Sequence, residues 1–155
     1  MYVYQVHERG RGDMADGSRI RELRTKRGVL QRERAEMAGV TESAVRNYEL
    51  GLRTPRPQHL EALARALGVD SAALTDYGLE TSRDALEVLF RLEESFGARP
   101  EADDSGARVV VDPAAPGAQR LDVAVRAWAA MRTRRDSGEI SEEEYLDWKR
   151  GFGGR

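Results

Sequence analysis

Gln31-Arg-Glu-Arg-Ala-Glu-Met-Ala-Gly-Val-Thr-Glu-Ser-Ala-Val-Arg-Asn-Tyr-Glu-Leu50 is the stretch of this chain that decides its fold. The residue types fall where two short helices crossing through a tight turn need them. Ala35 is small enough for a second helix to pass close over it. Gly39 can take the positive φ of the position that ends the first helix. Val40 fills the corner, while Val45 and Tyr48, about one turn apart, share the inward side of the second helix. Thr41 is the natural N-cap of that helix, because its hydroxyl can accept from a first-turn amide.

Outward from this core, residues 1–17 read as a tail. Tyr2, Tyr4 and Val6 alternate as a short strand would, and Gly10, Gly12 and Gly17 punctuate the rest of the segment. Ser18 is placed to cap a helix running to about Arg27, with Ile20 and Leu23 inward and Gly28 stopping it. Pro55 and Pro57 mark a loop after the quoted stretch, and Pro57 suits the first turn of a fourth helix. That helix sets Leu60, Leu63, Ala64 and Leu67 on one face and ends at Gly68. Ser71 to about Asp76 reads as a short fifth helix with Leu74 inward. The spacing predicts a domain of five helices over residues 18–78.

Residues 79–155 read as a second, small and mainly helical region with at most one short strand or hairpin. Thr81-x-x-Asp84 is a weak capping box, and Leu86, Leu89, Phe90, Leu92 and Phe96 line the helix behind it. Gly97 and Pro100 end that helix. Residues 101–107 read as a polar, acidic loop, Arg108 to Asp112 as one strand or hairpin arm, and Pro113 and Pro116 as a linker. Leu121, Val125, Trp128 and Met131 or Arg132 form a helical stripe. Ser141-x-x-Glu144 is a full capping box with Ile140 and Tyr145 as its staple. Tyr145, Trp148 and Phe152 continue that face, so a helical hairpin turning near Gly138 is expected.

The chain of 155 residues, 40% hydrophobic and 34% charged, can build a modest core. With no cysteine, disulfides, thiolate catalysis and Cys-ligated zinc are excluded. No apolar run approaches the roughly 20 residues that span a bilayer, and no export signal is legible at the start. A cytoplasmic location without membrane contact is the expectation. Net charge is −2, unevenly spread. Ser18 to Gly68 holds eleven basic residues against six acidic, while Leu79 to Arg155 holds twelve against sixteen. A basic head beside an acidic region suits a nucleic-acid-binding module joined to a protein-contacting one. Only two of the 25 basic residues are lysine, which leaves many planar donors for phosphate and guanine.

At 100° per residue, Ala44, Val45 and Tyr48 point back from the second helix, and Glu42, Ser43, Arg46 and Asn47 share its other side, with Thr41 at the end. Such a helix-turn-helix presents one helix to the DNA major groove. Arg46 could be bidentate to guanine O6/N7, Asn47 could pair with adenine N6/N7, and Glu42 could accept from cytosine N4. Glu42 equally suits the positive end of its own helix, and Arg46 could instead pair with Glu42 one turn away. Gln31, at the start of the first helix, can hold a phosphate by its amide and backbone N–H. Arg53, Thr54 and Arg56 are further phosphate candidates. His7 and His59 lie far apart, Glu142-Glu143-Glu144 reads as helix-start charge, and Asp103-Asp104-Ser105-Gly106 lacks the rest of a calcium loop. No metal, cofactor or enzyme chemistry is expected.

Arg19 to about Leu74 resembles the lambda-repressor/Cro-like (XRE-type) helix-turn-helix family of bacterial and phage regulators. The resemblance rests on Gln31, Ala35, Ala38-Gly39-Val40-Thr41, Val45, Tyr48-Glu49, Gly51, Pro55, Leu63 and Ala66-Leu67-Gly68-Val69. It implies a five-helix fold, insertion of the Thr41–Leu50 helix into the major groove, binding as a two-fold dimer, and a buried ion pair at Arg24 and Glu49. Arg34 stands where the family keeps an apolar residue, and its stem is expected to pack while its guanidinium reaches solvent. Leu50 replaces a polar residue that often reaches phosphate. The expected function is a dimeric, sequence-specific transcriptional regulator acting as a repressor, with residues 79–155 supplying dimerisation or a protein contact. The alternative is an interaction adaptor or antitoxin-like protein that keeps the fold with little or no DNA binding.

Overall fold

The computed structural model describes residues 14–153. In chain order the elements are β1 (Met14–Ala15), α1 (Gly17–Lys26), α2 (Gln31–Ala38), α3 (Glu42–Glu49), α4 (Pro57–Leu67), a 3₁₀ turn (Ser71–Leu74) and β2 (Thr75–Asp76). Beyond them lie α5 (Ser82–Phe96), β3 (Ala98–Asp103), β4 (Gly106–Val111), α6 (Ala118–Asp136) and α7 (Glu142–Gly151). They form two compact units. One comprises the residues through Gly78 together with those from Leu146 on, and the other is Leu79–Tyr145.

The first unit is built around one apolar core. Ile20 and Leu23 of α1, Val45 and Tyr48 of α3, Leu63 and Leu67 of α4, and Leu74 are buried together, with Ala35 and Ala38 letting α2 come close. Gly39 sits at φ 65° and ψ 32°, and Val40 N–H donates to the Ala35 carbonyl at 2.9 Å, so the chain turns sharply between α2 and α3. Thr41 Oγ1 then accepts from Ala44 N at 3.2 Å and starts α3. Helix α1 is capped by Asp16, whose Oδ1 accepts from Ser18 N at 3.0 Å and Arg19 N at 3.2 Å. Ser18, read from sequence as the cap, is inside the helix and donates its own hydroxyl to the same carboxylate. Residues from Leu146 on also belong here: Asp70 N–H donates to the Arg150 carbonyl at 2.8 Å, and Arg150 pairs with Glu22 at 3.5 Å.

The second unit consists of α5, the β3–β4 hairpin, α6 and the first turn of α7. The hairpin runs in register from Ala98 opposite Val111 to Asp103 opposite Gly106. Thr81 and Asp84 form a reciprocal capping box on α5, with Thr81 N–H to Asp84 Oδ2 at 2.9 Å. Trp128 Nε1–H donates to Tyr145 Oη at 2.6 Å, and the Arg135 guanidinium lies 4.6 Å from the Tyr145 ring centre. No helix among the described residues is long and apolar enough to cross a membrane.

The fold class expected from sequence, five helices followed by helices with at most one strand or hairpin, is corrected in two places. Only a 3₁₀ turn forms at Ser71–Leu74; Thr75 and Asp76 are extended and pair antiparallel with Ala15 and Met14. The N–H of Asp16 donates to the Leu74 carbonyl at 2.7 Å, so this backbone bonds across the chain instead of continuing a helix. The supposed tail therefore ends as a strand, while Tyr2, Tyr4 and Val6 lie outside the described residues. The acidic loop at 101–107 is likewise strand for most of its length, giving the molecule a second two-stranded ladder. Its arms are held by cross-strand charge, with Arg108 at 3.2 Å from Glu101 and 2.7 Å from Asp103. The other face of that end carries only the small Ala102 and Ala107, an apolar alternation too weak to mark a strand in the sequence.

Arg34 also differs from expectation. It is only 7% exposed, its Nε has no partner, and Nη1 reaches only the Met37 sulfur at 3.5 Å. Burial first, then the nearby Arg27 charge, disfavours its protonated form. Its Nε is shut in against the core.

Candidate nucleic-acid interface

Helix α3 is strongly two-sided. Val45, Tyr48 and Glu49 are buried, Thr41, Glu42, Ser43 and Arg46 are exposed, and Asn47 is half-buried. Tyr48 anchors the back further, its hydroxyl 3.1 Å from His59 Nδ1 on α4. His59, read from sequence as a helix-surface residue, is thus half-buried.

The carboxylate of Glu49 fixes three helices at one point. Arg24 Nε donates to Oε1 at 2.5 Å and Nη2 to Oε2 at 3.1 Å, while Gln31 Nε2 donates to Oε2 at 2.7 Å. Arg24 Nη1 also donates to the Val29 carbonyl at 3.0 Å. The hydrogen bonds that Arg24 donates to Glu49 raise its pKa against the opposing effect of burial. Gln31 is therefore aimed by Glu49, with its second amide hydrogen, its carbonyl oxygen and the first N–H of α2 left over.

The loop after α3 is pinned as well. The Asn47 carbonyl accepts from Leu52 N at 2.9 Å and Arg53 N at 3.3 Å, and Pro55 is buried. Arg53, Thr54 and Arg56 are exposed around that anchor.

Among the described residues, Arg21, Arg46, Arg53 and Arg56 make no ion pair, and Glu42 and Arg46 do not pair with each other. In the second unit Arg83, Arg91, Arg99, Arg108, Arg126, Arg134 and Arg135 each meet a carboxylate. A recess of about 200 Å³ brings Arg21, Arg24, Gln31 and Arg46 together beside Glu49 and Leu50. A second, of about 480 Å³, joins Gln31 to Arg32 and Glu42. Arg21 is the residue that sequence reasoning passed over. Its signal is the three-residue spacing from Arg24, which puts both on one face of α1. Unpaired guanidinium groups keep their donors for phosphate oxygens or for a guanine edge.

A short helix docked by its apolar back, with polar and guanidinium groups on its free side, defines a helix-turn-helix DNA-binding unit. The helix-turn-helix family profile matches residues 20–74. The restriction-modification controller protein C.AhdI from Aeromonas hydrophila is 36% identical over 37% of this chain and 88% of its own, with a TM-score of 0.37. The P22 c2 repressor, solved with a synthetic operator, is 31% identical over 39% of this chain and 92% of its own, with a TM-score of 0.38. A chain of the SinR–SinI protein complex is 27% identical over 74% of this chain and 96% of its own, with a TM-score of 0.41. No curated protein sequence matches. Residues 20–74 are thus a helix-turn-helix domain of the XRE type.

Proposed function

We propose that this protein is a sequence-specific transcriptional regulator that places α3 in the major groove of double-stranded DNA and represses by occupying its site as a homodimer. The observation that carries the reading is Arg46, exposed on the free side of α3 and without an ion-pair partner among the described residues. Arg46 reads a guanine through O6 and N7, Asn47 an adenine, and Glu42 a cytosine amino group, with Thr41 and Ser43 close to the same base edges. Gln31, Arg53, Thr54 and Arg56 hold the phosphates on either side and set the register of the helix. Arg24 and Glu49 touch no base; they hold the start of α2 and the end of α3 in a fixed relation. Two such heads meet half-sites about 34 Å apart. Bound protein then excludes polymerase from the same duplex.

Selection of duplexes from random DNA, followed by mobility shifts on the selected site, tests this. Arg46→Ala is expected to relax preference at one base pair per half-site, costing roughly 1–3 kcal/mol on the preferred sequence. Arg53→Ala should weaken all sequences alike and flatten the salt dependence by about one unit of slope. Failure to select any sequence, with binding to no duplex at low salt, would exclude the regulator in favour of a protein-binding adaptor.

A further inference from the structure

The second unit leaves an apolar helix face uncovered. In Leu79–Tyr145 only Ala98, Ala118 and Tyr145 are buried among the hydrophobic residues. Helix α5 buries none of its side chains. Yet Leu86, Leu89, Phe90 and Phe96 fall on one side of it at 100° per residue, with Glu93 among them, and Leu86, Leu89 and Phe90 are 42%, 38% and 43% exposed. Such a helix owes its stability to burial of that side, because its length alone gives little. The exposed apolar side chains of α5 and the adjoining α6, including Val125 and Trp128, offer on the order of 500 Å² per copy. Two copies give about 1,000 Å² before flanking charged stems are added, close to the range of specific interfaces.

The order of charges along α5 says what fits there. Arg83, Glu87, Arg91 and Glu94 succeed one another along one flank of the apolar face. Turned end for end about Leu89, this series lays Glu87 on Arg91 and brings Arg83 within one residue of Glu94. An antiparallel copy therefore meets opposite charges, whereas in a parallel pair this flank faces the other side of the partner helix and the match is absent. Within one chain the supply is unbalanced: Glu87 is shared by Arg83 at 3.3 Å and Arg91 at 3.4 Å, and Glu94 makes no ion pair among the described residues. We infer that α5 is the homodimer interface, pairing antiparallel with α5 of a second copy across a two-fold axis at Leu89. This rests on the dimeric reading proposed above and assigns its surface and geometry.

Sedimentation equilibrium on the full chain tests it. Leu89→Glu is expected to give monomers, and Glu94→Arg to weaken association roughly tenfold. Arg83→Glu added to Glu94→Arg should restore it. The two positions lie about 16 Å apart along one helix, too far to pair within a chain, so rescue must come from the other copy. Circular dichroism of the charge variants separates lost pairing from lost folding. The chain lacks cysteine, so Leu89→Cys supplies its single thiol and should form a disulfide-linked dimer on oxidation. A wild-type dimer indifferent to all these changes would overturn this interface and leave the dimeric reading standing. A wild-type chain that stays monomeric both free and on its duplex, or that covers α5 with a different protein, would overturn the interface, and the first outcome would overturn the dimeric reading with it.

Discussion

Glu49 holds Arg24 through both carboxylate oxygens, at 2.5 and 3.1 Å, across 25 positions of sequence. The Glu49 side chain is nearly inaccessible and that of Arg24 only slightly exposed, so each charge depends on the other for solvation. A pair of this kind specifies geometry more than it adds stability. Here the geometry ties α1 to the end of α3 and, through Gln31, to the start of α2. Glu49→Ala leaves the Arg24 guanidinium uncompensated and is expected to cost about 3–5 kcal/mol in urea denaturation. A loss below about 1 kcal/mol would mean that water already solvates Arg24.

Gly17 makes a second close approach. A Cβ on it would stand 2.2 Å from the Tyr48 carbonyl oxygen, which is backbone and cannot swing away. Gly17→Ala should therefore cost about 1–3 kcal/mol despite the better helix propensity of alanine. A stabilised Gly17→Ala protein in thermal denaturation would show that β1 and the start of α1 shift freely.

Asp16 links the stability of the first unit to pH. Burial would raise its pKa, but hydrogen bonds from the Ser18 hydroxyl and the Arg19 and Ser18 amides, with the charge of Arg19, bring it below the usual carboxylate range. A carboxylate whose pKa is lower folded than unfolded stabilises fully above the unfolded value and loses this as pH falls through the folded one. Asp16→Asn keeps a cap but no titrating charge, so its stability should vary less with pH below about 4 than that of the wild type. Parallel acid unfolding curves for the two proteins would remove Asp16 from that role.

Arg34 runs the other way. It makes no ion pair among the described residues and its Nε is orphaned, so it carries a desolvation cost that the nearby Glu33 charge offsets only in part. Arg34→Leu fills the same space with apolar atoms and is expected to raise stability by about 1–3 kcal/mol, leaving DNA affinity at constant salt nearly unchanged. Destabilisation by Arg34→Leu in chemical denaturation would show that the guanidinium has a partner in solution.

Along the chain, the legible features are those that neighbours decide between themselves. Gly39 at a positive φ, Thr41 as cap, the 3.6-residue period of Val45 and Tyr48, and the Ser141–Glu144 box are local, and each can be read within a few residues. The family was legible for the same reason, since its signature is a run of local spacings. Pairings between distant segments were not. Thr75–Asp76 became a strand because Met14–Ala15 offered a backbone partner, and Glu101 and Asp103 did so because Arg108 lay opposite. Arg34 kept its charge inside because α2 turned that position toward the core, and Arg21 came to the edge of α3 only through packing of α1. Local propensity amounts to tenths of a kcal/mol per residue, whereas burial and a buried polar group each amount to a few, so contacts between remote residues prevail wherever the two compete.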